Sequence, residues 1–156
     1  MPLDPQIQTL LEQMSALNYS LTRDMTPSQA REASKAMAIP MEPEPVARVE
    51  DRTLPAPDGE VPVRIYTPQG GGPFPVLVFF HGGGWVIGDL EGHDPLCRSI
   101  TNQVGCVVVS VDYRLAPEHP FPAAPRDCFA ATQWVAQNAA QLQGDAARIA
   151  VGGDYA

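Results

Sequence analysis

The chain has 156 residues, 44% of them hydrophobic, with 18 acidic against 10 basic side chains and a net charge of −8. That length predicts one domain, and the acid excess argues against a phosphate-binding surface of clustered Lys and Arg, so no nucleic-acid partner is expected. The longest apolar run, Val76–Phe80, falls far short of the ~20 residues needed to cross a bilayer, and the N-terminus MPLDPQIQ has neither the basic patch nor the apolar run of a signal peptide, which predicts a cytoplasmic protein without a membrane span.

The first predicted element is an amphipathic helix over residues 4–17. Asp4 is its N-cap, Pro5 stands in its first turn, and Ile7, Leu10, Leu11, Met14 and Leu17 recur at helical spacing. A second short helix starts at Thr26, with Pro27 just inside and Gln29 placed to complete a capping box. Met41–Pro45 then breaks regular structure. The segments 46–54 and 61–67 follow; Val61, Val63 and Ile65 alternate with Pro62, Arg64 and Tyr66 as in a half-buried strand, and Asp58-Gly59 signals a turn between antiparallel partners. Proline is abundant, 17 residues or about 11% where ~5% is usual, and concentrates in 40–75 and 117–125, which are predicted irregular or extended.

From Pro75 the pattern changes. Val76–Phe80 and Val107–Val111 are continuous apolar runs, as in strands covered on both faces of a parallel sheet. A crossover helix is predicted over 95–103 and a longer helix over 123–142, with Phe129, Ala131, Trp134, Val135 and Leu142 on one flank. Arg148–Val151 reads as a third parallel strand. Strands alternating with helices define an α/β domain; the two N-terminal helices lie outside that alternation. Cys97, Cys106 and Cys128 are odd in number and lack CxxC spacing, so they read as small buried residues rather than disulfide partners or metal ligands.

Three motifs follow the predicted strands. His81-Gly82-Gly83-Gly84-Trp85 comes directly after Val76–Phe80. Its glycines bring bare backbone N–H groups close to a ligand, and such donors hold the oxyanion formed when an acyl carbonyl becomes tetrahedral. A tight flexible turn is the simpler reading of three glycines alone. A dinucleotide loop of G-x-G-x-x-G type fails because Ile87 stands at its last glycine. The second motif, Asp112–Ala124, reads as a proline-stiffened scaffold in which Arg114 can pair with Glu118. His119 and His93 read as surface histidines, and His81 as a residue that shapes the glycine loop. The third motif is Gly152-Gly153-Asp154-Tyr155-Ala156, after the last strand.

Taken together in this order and spacing, HGGGW, DYRLAPEHPFPAA and RIAVGGD resemble the hormone-sensitive-lipase-like carboxylesterases of the α/β-hydrolase fold, most closely the bacterial ones. The resemblance covers the whole chain and is strongest from Val76 onward. It implies the N-terminal half of a mostly parallel sheet flanked by helices: residues 1–45 begin a cap over the acyl pocket, and 46–156 form the first part of the hydrolase core, ending at the nucleophile elbow. It also implies oxyanion-hole amides at Gly83, Gly84 and Ala156, with His81, Gly82 and Trp85 supporting the loop. Short- to medium-chain acyl esters would be cleaved through an acyl-enzyme, with no metal and no cofactor.

Tyr155 stands where the family has its nucleophilic serine. A phenol there is bulkier and differently placed than a hydroxymethyl activated by imidazole, and the elbow holds its central residue at strained angles. Triad order in this fold is Ser, then Asp or Glu, then His, so the Asp and His would come after position 156, from the rest of the protein or a second chain. The 156 residues alone are therefore expected to be inactive, and the last strand is expected to have an uncovered face and edge. The alternative is a catalytically silent hydrolase-fold protein that binds a small apolar ligand or a partner.

Overall fold

A computed structural model describes residues 3–16, 25–37 and 42–155. Helix α1 (Pro5–Ala16) begins as its cap predicts, with the Asp4 carboxylate accepting the Gln6 N–H at 2.8 Å. Its Ile7 and Leu11 are exposed, so these members of the apolar stripe find no core; Leu17 lies outside the described residues. Helix α2 (Pro27–Ala36) has the full capping box: the Thr26 hydroxyl accepts from Gln29 N–H and the Gln29 side chain accepts from Thr26 N–H.

Strands β1 (Arg48–Ala56) and β2 (Gly59–Thr67) form the expected antiparallel hairpin, closed where Ala56 faces Gly59. Then come β3 (Phe74–Phe80), α3 (Leu90–Val104), β4 (Val107–Val111), α4 (Ala123–Asn138) and β5 (Gly144–Gly153). The sheet order is β1-β2-β4-β3-β5. It is mixed: β1, β2 and β4 pair antiparallel, and β4, β3 and β5 run parallel.

Helix α3 starts five residues earlier than the sequence suggests, because Asp89 caps it by accepting Gly92 N–H at 2.8 Å, which leaves Pro95 inside the helix. The long helix expected over 123–142 divides into α4 and a 3₁₀ turn, Ala139–Leu142. Phe129 is not on the buried flank; it is 69% exposed. It lies two residues from buried Ala131, roughly 200° around the helix, and so points away from the stripe of Ala124, Asp127, Ala131 and Val135 that faces the sheet.

The sheet separates two cores. On one face Val63, Ile65, Val76, Val78, Val107, Val109 and Val111 pack with Ala131 and Val135 of α4. On the other, Tyr66, Phe79 and Val108 pack with Cys97 of α3 and with Cys106. The cysteines are free thiols, Cys97 and Cys106 buried and Cys128 half-buried, as their isolation predicts. Among the described residues no helix is long and apolar enough to cross a membrane.

Candidate active site

Register brings the motifs together. Parallel pairing sets Phe80 beside Val111 on one side and beside Gly153 on the other. The next residues of the three strands, Asp112-Tyr113, His81-Gly82 and Asp154-Tyr155, therefore emerge side by side at the carboxyl edge of the sheet. That edge is where open α/β sheets bind their ligands.

The glycine loop is tightly built. Gly83 has φ 135° and a Cβ there would overlap the Ile87 carbonyl; Gly88 has φ 97° and a Cβ there would overlap the His81 ring. Only glycine fits at either position. The Gly83 carbonyl accepts the N–H groups of Val86 and Ile87, both at 3.1 Å. The amides of Gly83 and Gly84, by contrast, have no acceptor among the described residues. Gly82 lies against the elbow: a Cβ on it would stand 3.1 Å from the Tyr155 Cβ and 3.4 Å from the Tyr155 carbonyl oxygen. Trp85 takes a left-handed φ of 61°, and its carbonyl accepts Ala116 N–H at 2.8 Å, tying the loop to the proline-rich segment. Tyr155 is at φ 148° and is 87% exposed. Ala156 lies outside the described residues.

His81 is fully buried and stacks on Tyr113, ring centroids 4.3 Å apart, while the Tyr113 hydroxyl donates to the His81 carbonyl at 2.5 Å. Burial lowers the His81 pKa and raises that of Tyr113 to about 12. Both groups are thus neutral wedges near neutral pH, which suits a loop-shaping role. Burial also raises the Asp112 carboxyl.

Two expectations are corrected here. Arg114 pairs with Asp127, not Glu118: the guanidinium makes 2.7 and 2.8 Å bonds to a buried carboxylate that also accepts Arg114 N–H. Glu118 instead receives Arg31 of α2 through two bonds of 2.7 and 2.8 Å, which hold its carboxyl near 2. Arg31 also donates to the carbonyls of Val86 and Ala116, so α2 is seated on both loops beside a cleft of about 1180 Å³. Second, His93 is no surface residue: its Nε2 lies 3.1 Å from the Asp154 carboxylate. His119 is exposed, as expected. Sequence reasoning missed Arg31, His93 and Asp154 as site components because the partners that tie them to the site are 55 or more residues away. The one local signal was the position of Asp154 inside the third motif.

Among the described residues no cluster of His, Cys, Asp or Glu is arranged to hold a metal ion. A β-sheet whose parallel strands deliver a glycine loop and a sharp terminal turn to one edge defines an α/β-hydrolase, and a family description of that fold matches residues 77–156. The chain is 43% identical to the carboxylesterase NlhH of Mycobacterium tuberculosis over 99% of its length and 48% of the relative's. It is also 43% identical to the carboxylic ester hydrolase LipN of that organism, over 99% of this chain and 42% of the relative. The hyperthermophilic esterase of the archaeon Pyrobaculum calidifontis superposes with a TM-score of 0.86 at 44% identity, over 99% of this chain and 50% of that one. The chain belongs to the hormone-sensitive-lipase-like carboxylesterase family of the α/β-hydrolase fold. It spans about half the length of the curated relatives it matches.

Proposed function

We propose that this chain is the N-terminal half of a carboxylic ester hydrolase for short- to medium-chain acyl esters, with position 155 as the nucleophile position. The amides of Gly83 and Gly84, joined by that of Ala156, form the oxyanion hole. Residues 1–45 begin the cap, with α2 docked through Arg31 beside the substrate cleft, and residues 46–156 begin the core. The observation that carries this reading is the contact between the Gly82 segment and Tyr155, next to two glycine amides with no acceptor among the described residues. An oxyanion bound there would accept N–H bonds that need no reorganisation, the feature that makes such sites effective.

Tyr155 itself does not perform the acyl transfer. Its ring is larger than the hydroxymethyl that an elbow accommodates, and its φ of 148° strains a bulky residue. The general base and its orienting acid belong to the second half of the protein, which the remainder or a second chain must supply. The test has two arms. Residues 1–156 should hydrolyse p-nitrophenyl butyrate no faster than buffer, and the full-length protein with Tyr155→Ser should turn it over. Turnover by the first, or none by the second, overturns the proposal.

The exposed ring of Tyr155 favours one second reading, a silent hydrolase-fold protein whose cleft binds a small apolar ligand or partner. It predicts no hydrolysis after Tyr155→Ser.

A further inference from the structure

His93 and Asp154 have no part in the chemistry described so far, yet they connect its two halves. An ionised carboxylate only accepts hydrogen bonds, and both oxygens of Asp154 are engaged. Oδ1 accepts the Gly82 N–H at 2.7 Å, and Oδ2 faces His93 Nε2 at 3.1 Å. The first bond crosses from the elbow, directly before Tyr155, to the glycine loop, directly before Gly83. The second comes from the first turns of α3.

His93 is itself held on several sides. Its Nδ1 lies 3.1 Å from the Asp89 carbonyl, one turn back on α3. Its ring sits 5.4 Å from that of His81, which stacks on Tyr113, and 6.1 Å from that of Phe79. The column joins the ends of β3 and β4 to α3, so the imidazole has little freedom to swing. We propose that Asp154 and His93 are positioning residues: the Asp154 carboxylate fixes the glycine loop at a set distance from position 155, and His93 fixes the direction in which that carboxylate faces.

The consequence follows from the loop's own geometry. Gly83 and Gly84, at φ 135° and 58°, carry no Cβ to restrict their backbone angles, so the orientation of their amides depends on what anchors the loop. Without an acceptor for the Gly82 N–H, the two oxyanion amides would drift relative to the acyl carbon. Misplacement by ~1 Å can cost on the order of 100-fold in rate. Because the oxyanion exists only after attack, the loss should fall on kcat rather than on KM.

The inference rests on the ester-hydrolase reading, so its test has one arm that does not. In the chain as it stands, the Gly82 amide should exchange hydrogen slowly. Asp154→Ala should speed that exchange at least about tenfold while the core amide of Val78 stays protected; Asp154→Asn, which keeps an acceptor oxygen, should preserve it. Unchanged Gly82 exchange in Asp154→Ala overturns the proposal whatever the activity. If Asp154→Ala also exposes Val78, the comparison passes to His93→Ala against His93→Gln: faster Gly82 exchange only in the alanine variant sustains the proposal, and equal exchange overturns it. The second arm uses the full-length protein carrying Tyr155→Ser. There His93→Ala should lower kcat about tenfold with KM within about twofold, and His93→Gln, which restores an N–H donor, should recover most of the loss. An active parent with kcat unaltered by His93→Ala overturns the positioning role and leaves the ester-hydrolase reading standing. An inactive parent overturns that reading, and the exchange arm then decides the brace alone.

Discussion

Strands β4 and β5 flank β3 in parallel and carry similar apolar runs, yet they differ in what covers them. Every residue of Val107–Val111 is buried, with strands on both sides and a core on each face. In β5 only Gly144 is buried, and Val151 is 60% exposed. A valine has the same intrinsic strand preference in either strand; the neighbours decide how much free energy it returns on folding. Both strands nevertheless end at the site, β4 with Asp112 and β5 with Asp154, because position at the carboxyl edge depends on register rather than on burial.

The largest effect should separate the two strands. Val109→Ala removes two methyl groups from a fully buried position and should cost about 2–3 kcal/mol. Val151→Ala should stay within about 0.5 kcal/mol. Urea unfolding of the chain at constant m-value measures both; equal losses would break the comparison. The same contrast holds for charges. Arg114→Met strands the Asp127 carboxylate, buried on the sheet-facing side of α4, and should cost about 2 kcal/mol, less than for a wholly enclosed pair because Arg114 keeps partial access to water. Glu118→Gln, at an exposed partner of Arg31, should cost clearly less. The reverse order would mean that the seat of α2, not the core, dominates stability.

These contrasts also explain what could be read from the sequence. Val107–Val111 was legible to the residue because a run of β-branched residues between turn signals has few alternatives. The Thr26 capping box was legible because all its bonds span three residues. The candidate site was legible where chemistry is written into adjacent residues, as in His81–Trp85 and Gly152–Tyr155. It was illegible where a side chain chooses among distant partners. Arg114 prefers Asp127, thirteen residues on, over Glu118, four residues on, since Asp127 lies on the sheet-facing stripe of α4 and leads its carboxylate under the loop. His93 finds Asp154 only after β3 and β5 are in register. The length of α3 was misjudged for a local reason: Asp89 competes with Pro95 as the start signal, and a cap that satisfies an N–H outweighs a proline the helix can absorb.

The two terminal aspartates give the smallest effect and the sharpest version of the comparison. Asp154 has a nitrogen partner for each oxygen, the Gly82 N–H and His93 Nε2. The Asp112 carboxylate accepts no hydrogen bond among the described residues, and burial lifts its pKa above the ordinary aspartate value. Between the ordinary and the raised value, the folded chain holds a proton that the unfolded chain has released. Stability therefore falls as pH rises through that window, and the deficit persists at neutral pH. Asp112→Asn keeps the shape and removes the charge, so it should raise Tm by roughly 2 °C at pH 7. The gain should shrink as pH is lowered toward 4, where the native carboxyl takes up its proton. His81, whose pKa is lowered by burial, makes the chain less stable as pH falls below about 6.5, but it is present in both proteins and largely drops out of the difference. Asp154→Asn should show no such gain at pH 7, since it trades a fully bonded carboxylate for an amide. A Tm that falls in Asp112→Asn at pH 7, or a gain that is undiminished at pH 4, would show that the carboxylate at the end of β4 is as well satisfied as its counterpart at the end of β5.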